Sequence, residues 1–484
     1  MPDITSVRGK LKAHGQDHLL RFYDELDPGR QSALLDQLGA LNLDELDEII
    51  DQYVLKKPSV ALPTNIQPPE IVPAKPVDPA AAVEKEAARK QGERLISQGK
   101  VGAFVVAGGQ GTRLGYDGPK GCLEATPVVH KPLFRLFAEQ IMAASKRHRV
   151  AIPWYIMTSP ANDTATKAHF RQNDYWGFSP KDVFFLMQGT MPAIGLDGKL
   201  LLGGKGQLAL SPDGHGGSLR ALRASGALDD MARRGVEYIS YFQVDNPLVR
   251  CIDPVFLGLH DLRGAEMSAK ALPKRDPMEK LGNFCLVNGR VTVIEYSDMP
   301  DELARACTPD GRLKFSAGSI AIHVLSRSFV EKLTSDGRCQ LPWHRAQKVV
   351  PHVDDKGNLI KPDKANAVKL EMFVFDALPL AQRSVILETM RSEEFSPIKN
   401  AAGADSLSTS LYDQVRRWSL WMEKAGIKVP RDADGQVATA IEISPLFADS
   451  PEELAAKVDR NLTIGAGQAF YLGSRGQIGG GRGK

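Results

Sequence analysis

The stretch VVAGGQGTRLGYDGPKG, Val105 to Gly121, decides how this chain is read. An apolar run, VGAFVVA, ends abruptly in Gly108, Gly109, Gly111 and Gly115. Glycines at a strand end let backbone N–H groups approach a ligand with no side chain in the way. Arg113 and Lys120 lie within and just beyond them and supply the positive charge that a phosphorylated ligand needs. A plain strand-to-helix turn needs one or two glycines and no cations. Leu114 occupies the third glycine position of a dinucleotide fingerprint, so that signature fails. No Gly-Lys-Ser/Thr follows with Walker spacing either.

Outward from this loop, strands and helices alternate. The runs PWYIMTS, DVFFLMQ and EYISYFQVD read as further strands. HKPLFRLFAEQIMAASKRH and NDTATKAHFRQ read as helices between them, the second with Asn162 or Asp163 as its cap. This predicts an α/β fold with a largely parallel sheet. Ligands on such sheets bind at the carboxyl ends of strands, where the glycine loop, Gln188 and Asp245 all fall. GNFCLVNGRVTVIEYS places Asn288-Gly289 between two apolar runs, a tight hairpin that brings Gly282 near Glu295. SPDGHGGSLRAL is a second glycine-rich loop opening a helix, suited to hold an anion or a base edge. Asp245 ends an apolar strand, the usual way to present a hard oxygen ligand to Mg²⁺; alone it reads equally as a turn residue.

The rest of the chain bounds the answer. At 484 residues it is too long for one core. The apolar fraction of 43% and charged fraction of 25% are those of a globular protein. A formal charge of +3 gives no support for a nucleic-acid partner. No apolar run is long enough for a bilayer, so no membrane partner is expected. The five cysteines are scattered and odd in number, which predicts free thiols in a reducing cytoplasm. Residues 1–57 read as three amphipathic helices, with Asn42 and Glu45 as an N-cap pair. Residues 58–80 hold seven prolines and read as an extended linker before a short helix over about 80–98. The expected organisation is a helical N-terminal domain (1–98), a central domain (99–390) and a C-terminal domain (391–484). After Pro379 the pattern turns helical, and the glycine-rich tail is too poor in apolar residues to fold alone.

The glycine loop resembles the G-G-x-G-T-R-L…P-K-G loop of sugar-nucleotide pyrophosphorylases. Across nearly its whole length, the chain is similar to eukaryotic-type UDP-N-acetylhexosamine pyrophosphorylases, within the wider UDP-sugar pyrophosphorylase group. GQDHLLRFYDEL, LMQG, SPDGHGG, QVDNPLV, EKLGNF…VIEYSDM, FSAGSIAIH, LEMFVFDALP and EFSPIKN match family blocks in family order. The resemblance implies a Rossmann-like nucleotidyltransferase domain that joins UTP to a sugar 1-phosphate, GlcNAc-1-phosphate above all. The products would be the UDP-sugar and pyrophosphate, with Mg²⁺ as cofactor.

It also implies roles for single residues. Gly108 and Gly109 would meet the nucleotide, and Arg113 and Lys120 the β- and γ-phosphates. Gln188 would read the uracil edge, with the Gly214 backbone and His215 beside the base. Asp245 would hold Mg²⁺, and Lys399 would sit on the α-phosphate. Gly282, Glu295 and Ser319 would bind the sugar. Phe373 and Phe375, on one face of the strand LEMFVFD, would wall the 2-substituent. Taken singly, the two phenylalanines read as core, Glu295 as a solvated strand end, Lys399 as a surface lysine and His323 as a structural histidine. Two positions depart from the family pattern: His215 and Ser319 stand where asparagine is usual. Serine is shorter and loses the amide fork. GlcNAc, GalNAc and an unacetylated hexose thus stay open, and a UDP-glucose or broad UDP-sugar pyrophosphorylase is the alternative within the class. Outside it stand a non-catalytic nucleotide-binding protein and a dinucleotide-dependent oxidoreductase, the latter disfavoured by Leu114.

Overall fold

The run that ends in the glycine loop is fully buried from Val101 to Val105, as a strand covered on both faces must be. It lies inside a ten-stranded sheet in the computed structural model, which describes residues 3–56, 63, 65–335, 339–476 and 478–479. The strands are β1 (Ile66–Gln67), β2 (Val101–Val106), β3 (Trp154–Thr158), β4 (Val183–Met187), β5 (Tyr238–Gln243), β6 (Met267–Pro273), β7 (Asn283–Val287), β8 (Arg290–Ile294), β9 (Ala317–Ser326) and β10 (Ser384–Glu388). Their order is β1-β7-β9-β5-β2-β3-β4, with β8 on β7 and β6 joining β9 to β10. β5, β2, β3 and β4 run parallel, and β9 is antiparallel to β5. The expected α/β architecture is therefore present, as a mixed sheet with a parallel half.

Two compact units share the chain. One comprises Met1–Thr64, Gln188–Ser218 and Gln340–Asp376; the other comprises Asn65–Met187, Leu219–Cys339 and Ala377–Lys484. These units cut across the three domains expected from sequence. In the first unit, helices Ile4–Ala13, Pro28–Gly39 and Leu43–Ile49 form as expected, and the Asn42 side chain accepts the Glu45 N–H. Such short helices gain stability from burying an apolar face, not from propensity. Here Leu11, Leu34, Leu38 and Leu46 pack on Met191, Ile194, Leu200, Val368 and Leu370, residues far away in sequence.

The second unit holds the main sheet, and Phe134, Phe137, Trp154 and Phe170 fill its core. Helix Pro79–Ser97 belongs here and crosses helix Pro254–Leu262 closely. A Cβ on Gly92 would lie 1.8 Å from the Pro254 carbonyl oxygen, so only glycine allows that approach. Three readings need correction. The proline-rich segment is no free linker where it is described, because β1 pairs with β7 and Val72 pairs with Leu387. The residues after Pro379 contribute a strand, β10, before the helix Leu407–Lys424. Within the tail, Ile478–Gly479 pairs with Phe470–Leu472, while residues 477 and 480–484 lie outside the described residues.

His260 generates a prediction about this core. It is fully buried between the hydroxyls of Ser268 (2.8 Å) and Ser326 (3.0 Å). Burial lowers its pKa to about 3, against a weaker opposing pull from Asp261. The folded protein keeps this ring neutral while the unfolded chain takes up a proton below about pH 6.5. Its contribution is thus complete above that pH and is lost as pH falls towards 3, by about 1.4 kcal/mol per unit. Urea unfolding at pH 5 and pH 7 should show a pH slope about one proton smaller in His260→Gln than in the wild type.

Candidate active site

In the second unit the glycine loop is held from behind. The Asn162 amide donates to the carbonyl oxygens of Ala107 (2.9 Å) and Gly109 (3.3 Å), and the Ser159 hydroxyl donates to that of Gly108 (2.8 Å). A trans peptide sets each N–H opposite the preceding carbonyl. No peptide here is cis, so the N–H groups of Gly108, Gly109 and Gln110 turn away from Asn162 and Ser159. Asn162 is thus the loop's clamp. It begins helix Asp163–Gln172 without capping it through its side chain, contrary to the expectation. The loop closes on itself through Gly111 N–H to Gly118 (2.8 Å) and Lys120 N–H to Gly109 (3.1 Å).

The same unit gathers three of the predicted charged residues. The Lys120 ammonium lies 3.9 Å from the Asp245 carboxylate and donates to the Ile398 carbonyl (3.3 Å). Ile398 N–H donates to the Asp245 carbonyl (2.8 Å), which places Lys399 one residue further on. Lys399 is exposed, and its ammonium lies 5.9 Å from the centre of the Phe395 ring. Arg113 is also exposed, on the turn Thr112–Leu114, and has no ion pair among the described residues.

Buried polar groups that the sequence did not single out hold this segment. The Asn246 amide donates to the Glu394 carbonyl (2.7 Å) and accepts from Ser396 N–H (3.1 Å). Lys270 is buried between Asp253 (2.6 Å) and Glu394 (2.5 Å). Burial opposes its charge, but the two carboxylates outweigh that and raise its pKa above the ordinary lysine value. The signal for Asn246 was its place after Asp245 at a strand end; nothing local marked Lys270, whose partners are 17 and 124 residues away.

Three of the predicted sugar residues, Gly282, Glu295 and Ser319, also converge in this unit. The Asn288-Gly289 turn forms with both residues at positive φ, and β7 pairs with β8. A Cβ on Gly282 would lie 3.2 Å from the Glu295 carboxylate, so the two are neighbours as expected. Ser319 N–H donates to the Gly282 carbonyl (2.8 Å). Just beyond it, Ala321 takes φ +55° and the β6–β9 register shifts, which marks a bulge. Lys274 lies under this shelf and donates to the Asn283 side chain (2.8 Å). His323 is fully buried against Tyr241, which suits a structural histidine.

The first unit carries the remaining residues. The Gln188 amide nitrogen donates to the Gly214 carbonyl (2.8 Å) and the Asp213 carboxylate (3.3 Å), which fixes the amide's orientation. Gly214 has φ +86°, and a Cβ there would lie 2.3 Å from the Met372 carbonyl oxygen. The strand carrying Phe373 and Phe375 was read as too long. It ends at Glu371, and Val374–Leu380 is a 3-10 turn. The two rings meet across that turn, 5.2 Å apart, and do not line one strand face. Phe373 also stacks with His215 at 5.2 Å and 14°. His215 Nδ1 accepts the Val374 N–H (3.1 Å), so its Nε2 carries the proton. Burial, helped by His344 nearby, lowers the His215 pKa to about 4.

Asn162→Ala removes the loop clamp and leaves the cations in place. We expect the KM for the nucleotide to rise about tenfold, with a smaller change in kcat, since a few tenths of an ångström at a positioning group is costly. Steady-state kinetics at a saturating second substrate checks this.

Comparison with known proteins places the chain in a family. Residues 45–430 match the family model described as UTP--glucose-1-phosphate uridylyltransferase. The chain is 38% identical over 483 residues to the human UDP-N-acetylhexosamine pyrophosphorylase-like protein 1, covering 94% of each. It is 34% identical over 464 residues to UDP-N-acetylglucosamine diphosphorylase 2 of Arabidopsis thaliana, covering 92% of this chain and 90% of that one. Its fold matches the crystal structure of the uridine diphosphate N-acetylglucosamine pyrophosphorylase from Trypanosoma brucei, with TM-score 0.81, 24% identity and coverage of 94% and 95%. With the family model matching residues 45–430 and the human relative 38% identical along nearly the whole chain, the chain belongs to the UTP--glucose-1-phosphate uridylyltransferase family.

Proposed function

We propose that this protein is a nucleotidyltransferase that joins UTP to an N-acetylhexosamine 1-phosphate, GlcNAc-1-phosphate first, and releases pyrophosphate. The observation that carries this reading is the convergence of Lys120, Asp245 and the Ile398–Lys399 segment at the strand end beside the clamped glycine loop. The names of the relatives support the N-acetylated sugar.

The nucleophile is the phosphate oxygen of the sugar 1-phosphate, already an anion, so no general base is needed. It attacks the α-phosphorus of UTP in line. The new P–O bond forms as the bond to the β-phosphate oxygen breaks, and pyrophosphate leaves with its electron pair towards Arg113 and Lys120. Lys399 offsets the charge gathering at the α-phosphate. Catalysis is then positioning plus electrostatic stabilisation. In the first unit, the donor end of the Gln188 amide is engaged by Gly214 and Asp213. Its oxygen remains to accept from an N–H donor, which uracil N3 offers and cytosine N3 does not.

Among the described residues, no group of three or more His, Cys, Asp or Glu could hold a metal by itself. Mg²⁺ commonly takes one or two carboxylates and fills its shell with substrate phosphates and water. Asp245 fits that mode, and Mg²⁺ bound there with UTP would neutralise phosphate charge. The five free cysteines support a cytoplasmic location, and no described helix is long and apolar enough to cross a membrane. A UDP-glucose or broad UDP-sugar pyrophosphorylase is the second reading, favoured by Ser319 on the shelf that holds Gly282.

Two predictions test the reading. Lys399→Ala and Asp245→Ala should each lower kcat by about 10²–10³ with an unchanged melting temperature, as loss of one charge-stabilising group does. Near-normal turnover at saturating Mg²⁺ would remove the residue from the mechanism. Pyrophosphate release should be fastest from UTP with GlcNAc-1-phosphate, slower with glucose-1-phosphate and weakest with CTP. Equal use of CTP would sink the uracil assignment, and nucleotide binding without release would favour a non-catalytic binding protein.

A further inference from the structure

We propose that His344 is a positioning residue for sugar selectivity, acting through Phe373; the inference rests on the reading above that Phe373 faces the sugar's 2-substituent. His344 begins the strand His344–Lys348, which pairs with Ala367–Glu371 and sets His344 opposite Glu371. Two residues past Glu371 the chain turns, and Asp376 N–H donates to the Phe373 carbonyl (3.1 Å). The same Asp376 accepts from His344 Nε2 through its carboxylate (2.7 Å). One acid thus closes the turn that carries Phe373 and orients the ring beside it.

His344 stacks on Phe373 with centroids 4.3 Å apart and planes 23° from parallel. Phe373 stacks in turn with His215, whose tautomer is set by Val374 N–H. A half-buried phenylalanine outside a strand would otherwise sample several rotamers. Stacked with two imidazoles, the ring has one position, and a flat acyl group would meet its edge without having to order it on binding. An unacetylated hexose does not reach that edge, so the benefit belongs to the N-acetylated substrate alone. His344 touches neither phosphate nor reacting atoms in this account, and its effect belongs in KM rather than kcat.

The test is steady-state kinetics on full-length protein with saturating UTP and Mg²⁺, varying GlcNAc-1-phosphate and glucose-1-phosphate separately. His344→Ala should raise the KM for GlcNAc-1-phosphate about fivefold to tenfold, the worth of an aromatic stack. Its kcat, and its KM for glucose-1-phosphate, should stay within about twofold of wild type on the same argument. His344→Phe keeps a flat ring and should restore most of the lost affinity. Equal KM increases for both sugars, a fall in kcat at constant KM, or no recovery in His344→Phe would overturn the proposal. A wild type that shows no preference for the N-acetylated sugar overturns the reading beneath it. A retained preference in the wild type with an unchanged KM in His344→Ala overturns the positioning role alone.

Discussion

The Ile398 N–H donates to the Asp245 carbonyl oxygen, and the placing of Lys120, Asp245 and Lys399 beside one another depends on that one bond being made in register. It joins the end of β5 to a segment that returns from over 150 residues later. Asn246 reinforces it with a donor and an acceptor to the same segment, and Lys270 anchors Glu394 from below. Lys120 then closes the arrangement by donating to Ile398. A buried ion pair such as Lys270 with Asp253 and Glu394 adds little net stability, yet removing one partner costs about 3–5 kcal/mol because it strands a charge. Such a network is suited to fixing a position rather than to strengthening a fold.

The glycine loop shows the same division of labour. Its glycines give access, but access alone leaves the backbone free to turn either way. Asn162 and Ser159 decide the direction by holding three successive carbonyls. The donors that would face a phosphate are thereby set before any ligand arrives, which is the condition under which backbone N–H groups stabilise charge well.

The first unit works by different means. Hydrogen bonds to Gly214 and Val374 set Gln188 and His215, and the Asp376-bound His344 ring sets Phe373. The unit's fixed features are an amide with an assigned orientation, an imidazole with an assigned tautomer and a stacked ring. Burial keeps His215 neutral at ordinary pH, so its N–H remains a donor of fixed direction. The residues proposed to meet phosphates carry charge, and those proposed to meet the base carry shape and hydrogen-bond polarity.

The local chain decided a good deal. Glycine spacing marked the cradle, the alternation of apolar strands with amphipathic helices marked the α/β sheet, Asn288-Gly289 marked its hairpin and Asn42 its cap. Each follows from backbone preferences acting over a few residues. The proximity of Gly282 to Glu295 came from that hairpin in the same way. The rest had no local signature. Val7 to Val54 supply side chains that pack with two segments over a hundred residues away, because an apolar helix face accepts any complementary surface and does not encode which. β10 was missed because a five-residue apolar run reads as strand or helix until a neighbour pairs with it. Asn162 looked like a helix cap, since a capping asparagine and a clamping one have the same composition and differ only in whether the side chain accepts a helix N–H or donates to distant carbonyls. The sequence by itself determined which chemical groups are present and on which kinds of element; the tertiary structure alone decided which of them meet, because hydrogen bonds and ion pairs act over a few ångströms in space regardless of separation along the chain.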